Sequence, residues 1–165
     1  MATLNSRFLS RLGLTPEALR QQRWFALFGE RLLAPRLWRT TPFALGGALA
    51  AGLFASWIPV PMHSLIAVVL ALWLGLNLPL ALLAVWFNNP LTLPLMYLAA
   101  YEIGCRLLGL PAEQFHLVWR LGWFEHEALT VLPPFLLGSL LLGLLSAALG
   151  YLLLGGTLAL WRRWH

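Results

Sequence analysis

The sequence contains no aspartate and no lysine, only six glutamates, and a single cysteine, Cys105. One cysteine excludes an intramolecular disulfide and any cysteine-based zinc cluster, and Cys105 reads as a small apolar filler on a helix. Charged residues make up 10% of the chain, against about a quarter in soluble domains, so a water-facing shell cannot be built. From Pro42 to Tyr101 there is no Asp, Glu, Lys or Arg at all. For enzyme chemistry one looks for a nucleophile beside a base, a carboxylate pair or metal-ligand spacing, and none is present. His116 and His126 stand apart without an accompanying ligand set. No catalytic residue, metal or cofactor is therefore expected.

What remains is apolar and basic. Of the 165 residues 60% are apolar, the mean hydropathy is +0.77, and the length suits one domain. The formal net charge of +5 rests on eleven arginines, seven of which precede Pro42. This basic arm runs straight into apolar sequence, which favours a membrane surface over nucleic acid. A cleaved signal peptide fits badly, because no apolar stretch follows Arg7 before Pro16. Four regions follow: a basic amphipathic arm (1–41), a core membrane domain of broken helices (42–108), an amphipathic polar loop (109–131) and a C-terminal transmembrane helix with a basic end (132–165).

In the arm, Thr15-Pro16-Glu17 opens a helix that Pro35 ends. At 100° per residue Trp24, Phe25, Phe28 and Leu32 share one side, so the helix is expected to lie in the interface or to pack on the protein's own membrane body. Arg36, Trp38 and Arg39 form a basic aromatic collar, and Trp24, Phe28, Arg36 and Arg39 are the expected membrane-interface residues. Apolar helices are expected over 43–57, 62–76, 79–87 and 90–108. The first offers about 15 residues, roughly 22 Å, where ~30 Å of hydrocarbon needs around 20 residues. Each of the first three reads as a half-helix or re-entrant limb. Residues 90–108 could cross, bent at Pro94. Pro133-Pro134 opens the last apolar run, 135–160, along which Ser139, Gly143, Ser146 and Gly150 form a small-residue seam for helix packing.

Breaks at Pro59, Pro61, Pro79, Pro90 and Pro94 need a shielded polar interior, because hydrocarbon cannot satisfy free backbone groups. Asn88-Asn89-Pro90 is the sharpest: Asn89 can cap a helix starting at Pro90 and leave its positive dipole end at the break. Thr92 adds a hydroxyl, Asn77 a second amide, and His63 an ionisable group just past Pro61. Asn88, Asn89, Thr92, Asn77 and His63 are the candidate ligand-binding residues, against the alternative of capped turns at the membrane edge. At an offset of 29 residues, Ala55, Trp57, Pro61, Ala71 and Gly75 match Ala84, Trp86, Pro90, Ala100 and Gly104. Either an internal repeat or the coincidences of an apolar chain accounts for this. Glu102 and Arg106 are placed as an i,i+4 pair near the membrane boundary.

Thr41-Pro42-Phe43-Ala44-Leu45-Gly46, Gly52-Leu53-Phe54, Ile58-Pro59-Val60-Pro61, Asn77-Leu78-Pro79-Leu80 and Asn88-Asn89-Pro90-Leu91-Thr92-Leu93-Pro94, with Tyr101 and Gly104, carry a resemblance. From about residue 37 to 108 the chain resembles the bacterial membrane-protein family of domain of unknown function 2062. Members often have Gln at the position of His63, which weakens a catalytic or proton-relay role there. The resemblance implies fold and location and no particular activity.

The expected fold is all-α: a polytopic integral membrane protein with short, proline-broken helices, re-entrant hairpins among them, and a cytoplasmic amphipathic N-terminal helix. Arginine placement puts both termini in the cytoplasm and the protein in the bacterial inner membrane. The expected function is transporter-like or lipid-handling, with membrane lipids and an anionic solute or lipid headgroup as ligands. The alternative is a non-catalytic assembly or scaffold subunit, with a homo-oligomer or another membrane protein as partner.

Overall fold

The structure, a computed structural model, describes residues 29–59, 62–111 and 128–164, and every regular element among them is helical. Two short 3-10 segments, Gly29–Leu33 and Pro35–Trp38, lead into α1 (Pro42–Ser56), α2 (His63–Leu74), α3 (Leu78–Val85), α4 (Leu93–Leu108) and α5 (Ala128–Gly150). A π-helical segment, Tyr151–Gly156, then joins α5 to α6 (Thr157–Trp164). Trp24, Phe28 and Pro61 lie outside the described residues, as does most of the polar loop.

The helix boundaries follow from local chemistry. Thr41 Oγ1 accepts a hydrogen bond from the Ala44 N–H at 3.2 Å, and Pro42 occupies the first turn of α1, where its missing N–H is no loss. The α1 exit tightens, with Trp57 N–H donating to the Phe54 carbonyl and Ile58 N–H to that of Ala55, because Pro59 disfavours helical geometry before it. Gly75, at φ 66° and ψ 38°, closes α2 in the left-handed conformation, and Leu76 N–H reaches back to the Ala71 carbonyl. Asn77 Oδ1 then caps α3 through the Leu80 N–H at 3.1 Å. At α3's own exit Trp86 and Phe87 donate to Leu83 and Ala84, the bonds of Trp57 and Ile58 repeated at the same 29-residue offset.

Three expectations are corrected. The arm helix does not run through to Leu32, because Gly29 adopts φ 53° and 29–33 is 3-10; Leu32 itself is buried in the protein's own core at 1% exposure, in line with the alternative of packing on the membrane body. Pro94 does not bend α4, since the helix starts at Leu93 and the proline sits in its first turn. The long last apolar helix is described from Ala128 on and carries Pro133 and Pro134 inside it, so the proline pair does not open it.

Glycine contacts fix how the helices run. A Cβ on Gly46 would lie 2.7 Å from the Gly155 Cα, while Gly143 abuts Phe54 and Trp57, and Gly150 abuts Leu49 and Leu53. α1 is therefore antiparallel to the α5 to α6 rod. Cβ atoms on Gly104 and Gly138 would overlap the Pro134 and Ala100 carbonyls, so α4 is also antiparallel to the rod and packs on its earlier half. Asn77 N–H bonds the Ala44 carbonyl and Gly52 abuts Ala81 and Ala84, so α3 runs parallel to α1. It follows that α3 and α4 run in the same direction with a break between them, whereas α2 runs back against both α1 and α3. One core joins α1, α2 and α3 through Ala48, Ala51, Val68, Ala71, Leu78 and Ala81. Another joins α4 and α5 through Ala100, Tyr101, Cys105 and Phe135.

Val131–Trp161 is long and apolar enough to cross a membrane, and only 22% of its apolar window is buried inside the protein. No other helix among the described residues reaches that length.

Candidate functional site

The break between α3 and α4 lies near mid-depth of that long helix. Asn88 Nδ2 donates to the Ser56 carbonyl at 2.8 Å, and the next residue, Trp57, packs on Gly143. The midpoint of Val131–Trp161 falls at Ser146, one helical turn, roughly 5 Å, from Gly143. Two half-helices thus meet beside the middle of the long apolar helix.

Asn89 forms the start of the second half. Its Oδ1 accepts from the Leu91 and Thr92 N–H groups at 2.9 and 3.1 Å, and its Nδ2 donates to the Trp86 carbonyl at 3.3 Å. The Thr92 hydroxyl donates to the Phe87 carbonyl at 2.6 Å and accepts from the Asn89 N–H at 3.0 Å. The pair makes a reciprocal cap around exposed Pro90. Asn77 is 8% exposed; besides capping α3 it donates Nδ2 to the Arg39 carbonyl at 2.9 Å, far from the break. His63 opens α2, half-buried. Pro59 is half-buried past the α1 exit, and Pro79 is buried in the first turn of α3. The structure thus groups Asn88, Asn89 and Thr92 and places Asn77 at the opposite end of α3.

Sequence reasoning overlooked Trp57. Its indole Nε1 is buried without a hydrogen-bond acceptor, beside the second core and one residue from the carbonyl that receives Asn88. An orphaned buried donor costs about 1–3 kcal/mol and calls for an acceptor, whether water, ion or ligand. The signal available was Trp57 itself, the first tryptophan of the 29-residue echo.

On the rod, Ser139 is buried and Ser146 donates to the Gly143 carbonyl at 3.1 Å. Gly143 and Gly150 face α1, while Leu140, Leu144, Leu149 and Leu152 point outward, each more than half exposed. At the end where α1 begins, Arg36 and Arg39 are exposed beside a cavity. At the other end the Arg106 guanidinium lies 3.7 Å from the Glu102 carboxylate, both exposed. Among the described residues no group of His, Cys, Asp or Glu could hold a metal.

Residues 25–165 match a family described as "Uncharacterized protein conserved in bacteria (DUF2062)". No curated protein and no solved structure matches the chain. With the family and the exposed apolar helix together, the molecule is a bacterial, membrane-associated, all-helical protein.

Proposed function

The chain belongs to this bacterial DUF2062 family, and on that premise we propose a polytopic inner-membrane protein that passes or holds an anionic solute or phospholipid headgroup at the mid-depth break. In this reading α1 and α2 dip to mid-depth and return, α3 and α4 together make one discontinuous crossing, and the α5 to α6 rod makes the return. Both termini then lie on the cytoplasmic side, with Arg36, Arg39 and Arg163. The observation that carries the reading is the unpartnered Trp57 N–H at the level where α3 gives way to α4. Discontinuous helices of this kind build midplane sites in transporters, with helix N-termini turned to anions. Asn89 and Thr92 cap each other in the turn that leads into the N-terminus of α4.

Reconstitution in vesicles tests it. The intact chain should accelerate either release of a trapped anion or exchange of labelled phosphatidylglycerol between leaflets. The double substitution Asn88→Leu with Asn89→Leu should remove the acceleration, and Trp57→Phe should reduce it at least fivefold. Equal rates for the native chain and both variants would refute the proposal.

A second reading, an assembly subunit without a ligand, draws on a different observation: the side chains of Asn77, Asn88, Asn89 and Thr92 each already have a hydrogen-bond partner on the backbone. Under it the partner meets the outward leucine face of the rod, because Gly143 and Gly150 already face α1. Crosslinking from Leu144 to a stable neighbour, with no flux or exchange in vesicles, would favour it.

A further inference from the structure

We propose that the end of the molecule where α1 begins carries a separate site, independent of the mid-depth break, for the phosphate of an anionic phospholipid. A cavity of about 270 Å3 opens there, with Arg36, Arg39, Thr41, Ala44, Trp73 and Gly75 in its wall. Its geometry is braced. Leu37, between the two arginines, is 0% exposed, and Trp38 Nε1 donates to the Leu32 carbonyl at 3.2 Å, so the short basic segment is pinned to the core. Asn77 holds two wall residues at once, taking the Arg39 carbonyl with Nδ2 at 2.9 Å and the Ala44 carbonyl with its N–H at 3.1 Å. The Arg36 stem lies beside the corner between α2 and α3, its Cδ 3.9 Å from where a Cβ on Gly75 would stand.

Among the described residues nothing offsets the charge. No ion pair to Arg36 or Arg39 occurs among the described residues, and no acidic residue exists anywhere from Pro42 to Tyr101. The first turn of α1, with Thr41 at its cap, adds the positive end of a helix dipole to the same wall. Arg163 stands at this end too, since Gly155, just before α6, abuts Gly46 of α1. Paired guanidinium groups suit a phosphate, which they can grip through two parallel hydrogen bonds.

The wall also says which phosphate. Trp73 is 79% exposed and Leu74 and Phe43 are about half exposed, a surface unsuited to a free ion in water. An indole at the headgroup level with apolar surface beyond it fits a lipid, whose chains continue along the exposed side chains of α2. Trp161 and Trp164, both exposed on α6, extend this aromatic level around the same end.

The test uses the full chain purified in non-ionic detergent, with lipid adducts counted by native mass spectrometry. Phosphatidylglycerol should bind at least tenfold more tightly than phosphatidylcholine. The double variant Arg36→Gln with Arg39→Gln should lose at least tenfold, each single variant at least threefold, and Trp73→Ala a similar amount. Arg106→Gln, the same charge change at the far end, should leave binding unaltered. Equal loss in Arg106→Gln would mean general attraction and overturn the site. So would equal binding of the two lipids, or displacement of phosphatidylglycerol by inorganic phosphate at matching concentration, which would mark a free-anion site. Loss of headgroup binding with vesicle flux intact would leave the mid-depth reading standing, and the reverse result would leave this one.

Discussion

Gly104 and Gly138 show how little room single atoms have in this molecule. A methyl group on either would overlap a backbone carbonyl of the facing helix, Pro134 or Ala100. Backbone cannot swing aside as a flexible side chain can, so Gly104→Ala should destabilise the chain by about 2 kcal/mol or more, read as a lowered unfolding midpoint in detergent. Gly156→Ala makes the contrast. Nothing lies within 4 Å of a Cβ there, and alanine's helix preference should leave stability unchanged or raise it by up to about 1 kcal/mol. Cys105 is 1% exposed among Tyr101, Ala100 and Phe135. In the folded chain it should resist a thiol reagent until denaturant is added.

At the scale of elements, the caps carry the local order. Asn77 serves α3 through Oδ1 and the segment before α1 through Nδ2. Asn77→Ala removes a cap worth about 1 kcal/mol and leaves the Arg39 carbonyl without its donor, about 1 kcal/mol more. Thr41→Ala removes only a cap, so chemical denaturation should show it to be the milder of the two. The 29-residue echo coincides with a likeness in the way α1 and α3 end, with matching three-residue bonds after Phe54 and Leu83. It does not extend to the paths that follow. Pro59 sends the first break back into a hairpin, whereas Asn89 and Thr92 set α4 onward against the rod, where Gly104 and Gly138 admit close approach.

For the whole molecule, the antiparallel contacts place Gly75 and Arg163 at one end and Leu110 at the other. In a Cys105-free chain, single cysteines at 75 and 163 should react with a membrane-impermeant thiol reagent from one side of sealed vesicles, and a cysteine at 110 from the opposite side. All three labelling from the same side would refute the discontinuous crossing. A cysteine replacing Leu144, outward on the rod, should stay unlabelled from both sides, as lipid covers it.

Residue chemistry alone determined much that is local. Charge scarcity set the all-helical, membrane-associated character, and the segments expected over 43–57, 62–76 and 79–87 lie within two residues of α1, α2 and α3 at each boundary, because Thr-Pro, Asn-Leu-Pro and glycine endings act within one turn. Asn89 was expected to cap a helix from Pro90; its side chain caps the turn 90–92 instead, and the helix starts at Leu93. Only the tertiary structure decided which half-helix runs on and which turns back, since that depends on glycines distant in sequence meeting at Gly46 with Gly155 and at Gly104 with Pro134. The orphaned Trp57 N–H and the arginine cavity belong to the same class. Whether a donor has an acceptor, or a guanidinium a counter-charge, is a property of what long-range packing brings beside it.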